Sequence, residues 1–128
     1  MRRILLGFFN EADSSLKLVE GFNAPLGTFS TRTAAAYSLG LISNEEFKEC
    51  ETLRRIRNRF AHDVHTSFDT QDIRDLCKNL TKAAKSYGDV TVDARGQYTT
   101  AAVALILQLT NRPAYVSRKR RNIEDWPN

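Results

Sequence analysis

The sequence is poor in cysteine, proline and tryptophan, and it lacks any long apolar run. Its 128 residues include two cysteines, three prolines and one tryptophan. Cys50 and Cys77 form no CxxC pair and no cysteine–histidine cluster with zinc spacing. Neither a zinc site nor a disulfide framework is supported, so each is expected to be a small buried hydrophobic residue. No stretch of 18 residues is apolar, so no membrane span is expected.

The first nine residues partly resemble a secretory signal, because two arginines precede an apolar run that ends at Phe9. Asn10, Glu11 and Asp13 end that run early, and no small-residue cleavage site follows. We therefore expect a cytoplasmic protein.

The composition is that of a folded protein, with 41% hydrophobic and 27% charged residues. The net charge of +4 is concentrated near one end, because residues 111–128 hold five basic side chains against two acidic ones. A nucleic-acid-binding domain usually spreads its positive charge over a folded face. The charge distribution therefore predicts a nearly neutral body and a basic tail.

Apolar residues that recur every three or four positions predict five helices. The first spans residues 3–20, the second begins after a cap at Thr28 or Ser30 and ends near residue 41, and the third spans about 44–61. The fourth follows a cap at Asp69 or Thr70 and ends near residue 87, and the fifth runs from Asp93 to about residue 109. Residues 90–92 alternate like a strand but have no obvious partner strand, so we expect an extended connector.

This pattern predicts an all-α fold, a single-domain helical bundle of about five helices. Residues 1–110 would form the helical domain and residues 111–128 a flexible basic tail. The inward face of the third helix is predicted from Phe47, Cys50, Leu53, Ile56 and Phe60. The corresponding face of the fifth is predicted from Tyr98, Ala102, Leu105, Ile106 and Leu109.

The third helix carries the clearest local signals. Ser43-Asn44-Glu45-Glu46 fits a capping box and places the start of the helix. Four arginines, an asparagine and a histidine crowd its other end, in Leu53-Arg54-Arg55-Ile56-Arg57-Asn58-Arg59-Phe60-Ala61-His62. The helix dipole favours cations at that end, which explains many of the arginines. It does not explain Asn58 and His62, which are four residues apart and share a face.

Three runs closely resemble the mannitol operon repressor (MltR-like) family: residues 25–32 (PLGTFSTR), 36–42 (AYSLGLI) and 53–62 (LRRIRNRFAH). The likeness covers roughly residues 1–110. It implies a helical, repressor-type transcriptional regulator that acts through a protein partner at least as readily as through DNA. It also implies a homodimer, with the Arg54–His62 cluster at the interface or lining a groove between subunits.

Within the same segment, Arg57-Asn58-x-x-x-His62 is similar to the Arg-x4-6-His motif of HEPN domains, some of which are metal-independent ribonucleases. The resemblance implies that His62 would act as general acid or base and that Arg57 would stabilise charge on phosphate. Asn58 would orient His62 or hold a phosphate oxygen. Partner binding without chemistry, and RNA binding without cleavage, remain open alternatives, and so does an antitoxin or immunity-type binding protein.

We expect a binding protein rather than an enzyme, with no cofactor. The candidate binding residues are Arg32, Arg54, Arg55, Arg57, Asn58 and His62, and the catalytic candidates of the ribonuclease alternative are Arg57, Asn58 and His62. Nucleic acid would be contacted through the Arg54–His62 cluster and the Arg118–Arg121 tail. His62, Asp63 and His65 lack a ligand from a third helix, so no metal site is expected.

Overall fold

The computed structural model describes residues 1–128 and contains seven helices and no strand, which confirms the all-α prediction. The chain divides into two compact units: a terminal unit of residues 1–43 and 109–128, and a central unit of residues 44–108. None of the helices combines the length and apolar character that crossing a bilayer requires. The helices are α1 Arg2–Phe8, α2 Asp13–Val19, α3 Phe29–Ser38, α4 Asn44–His62, α5 Gln71–Lys78, α6 Ala94–Leu109 and α7 Arg112–Ser117.

The terminal unit is organised around α1, which packs against α2, α3 and α7. Gly7 allows α7 to pack closely against α1, because a Cβ atom there would lie 3.1 Å from the carbonyl oxygen of Pro113. Arg120 donates hydrogen bonds to the carbonyl oxygens of Leu6 and Gly7 and pairs with Glu11. Residues 112–120, which the sequence assigned to the tail, therefore include a helix and an anchoring side chain.

The predicted first helix, residues 3–20, is two helices in the structure. The break comes at Phe9–Ala12, where Phe9 and Ala12 have extended backbone angles. Asn10, Asp13 and Ser14 favour this break, because their short polar side chains compete with helical hydrogen bonding in a helix interior. The single-helix prediction was wrong because an apolar stripe can continue across a break in the backbone.

The central unit contains a compact apolar core built from α4, α5, α6 and the segment after α5. Both cysteines are buried and free, which confirms their predicted role as small hydrophobic residues. The buried core cluster consists of Ile56, Ile73, Cys77, Leu80 and Ala101.

The three helices of the central unit each differ in one respect from their predictions. The fourth predicted helix, expected to reach residue 87, ends at Lys78 as α5. In α6, Ile106 was predicted to face inward but is 66% exposed, whereas Ala101 is fully buried. Residues 101–107 are all apolar or small, so their periodicity carries little information about which face is inside. Phe60, predicted inward on α4, is 36% exposed.

Candidate functional site

Helix α4 is continuous from Asn44 to His62, in agreement with the predicted third helix. Its last turn is held by an aromatic cluster in which the Phe60 and Phe68 ring centroids are 4.8 Å apart and those of Phe68 and Tyr98 are 5.8 Å apart. The Arg95 guanidinium lies over the Phe68 ring at 5.2 Å. Phe60 therefore contributes to a packed edge rather than to the deep core, and it fixes the turn that carries His62.

A buried carboxylate holds the segment after α5 against α4. Glu49 accepts hydrogen bonds from the backbone amides of Thr81 at 3.0 Å and Lys82 at 2.7 Å, and from the Thr81 hydroxyl at 3.2 Å. Since these amides donate to Glu49, they do not continue the helical ladder of α5, which explains why α5 ends early.

Four polar residues of α4 line an open pocket of about 350 Å³, together with two residues of α5. We call it the Arg55–His62 pocket. On α4 the lining positions are i, i+3, i+4 and i+7, which share one face of a helix. Its accessible surface is mostly apolar, as expected where arginine stems and a leucine form the walls. The lining residues are Arg55, Asn58, Arg59, His62, Asp72 and Leu76.

The charges in this pocket are only partly compensated. Arg59 pairs with Asp72 at 2.6 Å, and both side chains are about half exposed, so water screens this pair. Arg55 is exposed and takes part in no ion pair. The pocket therefore presents one guanidinium without a carboxylate beside an amide and an imidazole, an arrangement suited to a carboxylate or phosphate group.

The predicted site residues do not all lie in this pocket. Arg54 forms an ion pair with Glu51 one turn earlier, with an N–O distance of 2.9 Å. The hydrogen bonds that Arg54 donates to the Glu51 carboxylate raise the pKa of Arg54 above its ordinary value. Arg57 is exposed and does not line the pocket. His62 follows Arg57 by five positions, which turns the two side chains about 140° apart around the helix.

Arg32 belongs to the terminal unit and has a local structural role. Its guanidinium donates to the carbonyl oxygens of Leu26 at 2.9 Å and Val19 at 2.8 Å. These bonds hold the loop between α2 and α3. Arg32 is therefore engaged in backbone contacts, and the predicted binding role gains no support from its geometry.

Comparisons of the chain with protein-family models, curated proteins and solved structures found no match. They neither support nor oppose the two resemblances.

A second concave surface continues along α4 from the same arginine. This groove of about 640 Å³ is also lined by Arg55, and it reaches back through Thr52 and Lys48 to the start of the helix. Asn79 and Thr81 form its opposite wall. Because both depressions include Arg55, this residue lies at the midpoint of a polar strip along α4.

The sequence pointed to α4 but missed the partners from α5. Asp72 and Leu76 complete the pocket, and Glu49 shapes the groove, although Glu49 was not recognised as buried. The cap predicted at Asp69 or Thr70 marks Asp72 only as a residue of the first turn of α5, because tertiary packing alone brings it to Arg59. No group of three His, Cys, Asp or Glu side chains is arranged to hold a metal ion.

Proposed function

We propose that this chain is a cytoplasmic, repressor-type regulatory protein of the MltR-like kind. Its Arg55–His62 pocket would bind an anionic group of a protein partner involved in transcription. The observation that carries the proposal is the unpaired Arg55 guanidinium beside Asn58 and His62 on one open face of a continuous helix. Charge-assisted hydrogen bonds from arginine to a carboxylate are among the stronger polar contacts in proteins.

The charge of the central unit favours a protein partner over DNA. Residues 44–108 contain ten basic and ten acidic side chains, so this unit carries no net charge. Binding along a DNA backbone gains its affinity from many cations that neutralise phosphates together. A concave, largely apolar pocket with a single unpaired guanidinium instead suits one carboxylate flanked by apolar groups.

Capture of partners from a lysate of the source cells tests the proposal. The tagged full chain is compared with Arg55→Glu and His62→Ala, and Arg74→Glu serves as the matched control. Arg74 is exposed on α5 and lies outside the pocket, so the charge change is the same without a change at the site. We expect a specific protein that wild type and Arg74→Glu retain and that both pocket variants lose.

Equal capture by all four proteins would contradict the proposal. So would a shift of an operator fragment at nanomolar protein concentration in moderate salt, because that result would indicate direct DNA reading.

A metal-independent ribonuclease of the HEPN sort is the second candidate. The observation that favours it is that His62 and Asn58 share an open pocket with an unpaired guanidinium, a set of groups that can move a proton and hold a phosphate. In this geometry the cooperating arginine is Arg55 rather than the motif residue Arg57.

Incubation with single-stranded RNA in the presence of a chelator tests the ribonuclease. Cleavage that is lost in His62→Ala and Arg55→Ala but kept in Arg57→Ala would establish it with the revised residue pair. If the wild-type chain leaves RNA intact across pH 5 to 8, the ribonuclease candidate fails.

A further inference from the structure

The final stretch of the chain joins acidic and apolar side chains in one short exposed segment. Residues 121–128 have no regular secondary structure. Ile123 is 81% exposed and Trp126 is 68% exposed, and Glu124 and Asp125 lie between them. The only ring contact of Trp126 is the Arg121 guanidinium at 6.0 Å from the ring centroid. An exposed tryptophan next to two carboxylates has the composition of a docking segment, because aromatic residues are enriched in interface cores.

The Arg55–His62 pocket has the opposite character. It offers an unpaired guanidinium, and its walls are mostly apolar. Its volume of about 350 Å³ lies at the lower end of the range for small-ligand pockets, which suits one large side chain better than a whole helix. An indole ring fits such a site, because guanidinium groups stack on aromatic faces.

We propose that residues 122–127 of a second copy of this chain dock in the Arg55–His62 pocket. Trp126 of one copy packs against Leu76 and the arginine stems of the other, while Asp125 or Glu124 accepts hydrogen bonds from Arg55. Charge complementarity favours this occupant, because Glu124 and Asp125 are exposed carboxylates that take part in no ion pair within their own chain. This inference rests on the proposed function, since it uses the same pocket as a protein-binding site.

In a two-fold dimer, each copy places its residues 122–127 in the pocket of the other, since each copy has one such segment and one pocket. Two short segments bury little surface, so we expect weak association in the micromolar range rather than an obligate dimer. The docked segment also covers the pocket. Self-association and partner binding therefore compete, which makes partner binding depend on the concentration of the protein itself.

The single tryptophan reports on docking directly. In the full chain, dilution through the micromolar range should shift Trp126 emission to the red as the ring leaves the pocket, in parallel with dissociation in sedimentation experiments. The double variant Glu124→Lys and Asp125→Lys should stay monomeric, with emission that does not depend on concentration. Adding Arg55→Glu to that variant should restore association, because the charges are then exchanged rather than removed.

Binding of a peptide with the sequence of residues 121–128 measures the contact between this segment and the Arg55–His62 pocket in isolation. The acceptor is the full chain carrying Trp126→Phe, Glu124→Lys and Asp125→Lys, which has no tryptophan of its own and no competing segment. Arg55→Glu in the acceptor should weaken peptide binding by roughly tenfold to a hundredfold, the loss expected for a hydrogen bond between charged groups. Arg74→Glu in the acceptor should leave binding unchanged.

Three outcomes would overturn the inference. The first is a monomer with constant emission at all concentrations. The second is association that survives the double tail variant. The third is Arg55-dependent binding of single-stranded RNA without binding of the peptide. If the peptide fails to bind while Arg55-dependent capture of a partner persists, the proposed function stands and only this inference falls.

Discussion

At the residue scale, Glu49 is the side chain whose role is least visible in the sequence. It occupies a polar-looking stretch of α4 but is only 2% exposed, and its carboxylate receives two backbone amides and a hydroxyl. A buried carboxylate persists only where hydrogen bonds replace its lost hydration. Glu49 therefore holds the segment that follows α5 against α4.

Glu49→Ala should lower the free energy of unfolding by about 2–4 kcal/mol, because it removes the acceptor from the Thr81 and Lys82 amides. Lys48→Ala is the matched control on the same helix and should change stability by less than about 0.5 kcal/mol, since Lys48 is exposed. Urea denaturation followed by circular dichroism measures both. Equal effects of the two substitutions would argue against a structural role for Glu49.

The two cysteines should be unreactive towards thiol reagents in the folded protein. Burial raises the pKa of the Cys50 thiol from 9.0 to about 11, and burial also raises the pKa of Cys77. Both are then protonated at about pH 8, and the reactive thiolate is scarce. Labelling with a thiol-specific chromogenic disulfide should be slow in buffer and complete in concentrated guanidinium chloride. Rapid labelling of either cysteine in the native protein would contradict this expectation.

The raised pKa of Cys50 also determines whether the stability of the protein rises or falls with pH in the alkaline range. Between about pH 9 and 11, the native chain keeps the Cys50 proton that the unfolded chain has lost. The contribution of the Cys50 thiol to the free energy of unfolding is therefore present below pH 9 and is lost as the pH rises towards 11. Cys50→Ala should reduce the slope of unfolding free energy against pH in this interval, and an unchanged slope would exclude the effect.

At the scale of elements, several helix starts could be predicted from capping residues, whereas the end of α5 could not. The starts of α3, α4 and α6 follow the residues expected as caps, and the Asp93 carboxylate accepts a hydrogen bond from the Gly96 amide at 2.8 Å. Caps are local, so a few neighbouring residues determine them. The end of α5 instead depends on Glu49, which is about thirty residues away in sequence, and no local pattern signals it.

Helix α3 allows a direct test of its cap. The sequence predicted either Thr28 or Ser30 as the N-cap of this helix. In the structure Thr28 forms a capping box with Thr31, and the Thr31 amide lies 3.1 Å from the Thr28 hydroxyl. Thr28→Ala should cost about 1 kcal/mol of stability. Ser30→Ala should have little effect, and thermal unfolding compares the two. A larger loss in Ser30→Ala would move the cap to that residue.

At the scale of the whole molecule, the longest internal segment without a helix joins α5 to α6. It includes a turn in which the backbone amides of Tyr87 and Val90 each donate a hydrogen bond to the carbonyl oxygen of the other residue, with N–O distances of 2.9 Å. Gly88 lies within this turn and has a positive φ of 57°. Lys82 is held at the start of this segment by Glu49, whereas Lys85 is exposed. Exposed backbone outside helices is the preferred site of proteolytic cleavage.

Limited trypsin digestion should therefore cut the internal part of the chain first after Lys85. Cleavage after Lys82 should be slower, because its backbone amide and its side chain are both hydrogen-bonded. Cleavage within α4 should be slowest despite its four arginines, since it requires unfolding of the helix. Mass spectrometry of early fragments gives the order, and an early cut between residues 54 and 59 would contradict it.

The sequence by itself determined the helical class, the span of α4 and the concentration of guanidinium groups at its end. These follow from apolar spacing, capping residues and composition, which act within one or two turns. Only the tertiary structure decided which arginines belong to the pocket. Arg55 and Arg59 line the pocket together with two residues of α5, Arg54 is paired within its own helix, and Arg57 lies outside the pocket. The physical reason is that a helix presents residues in every direction, and the packing of α5 against α4 selects the face that becomes a site.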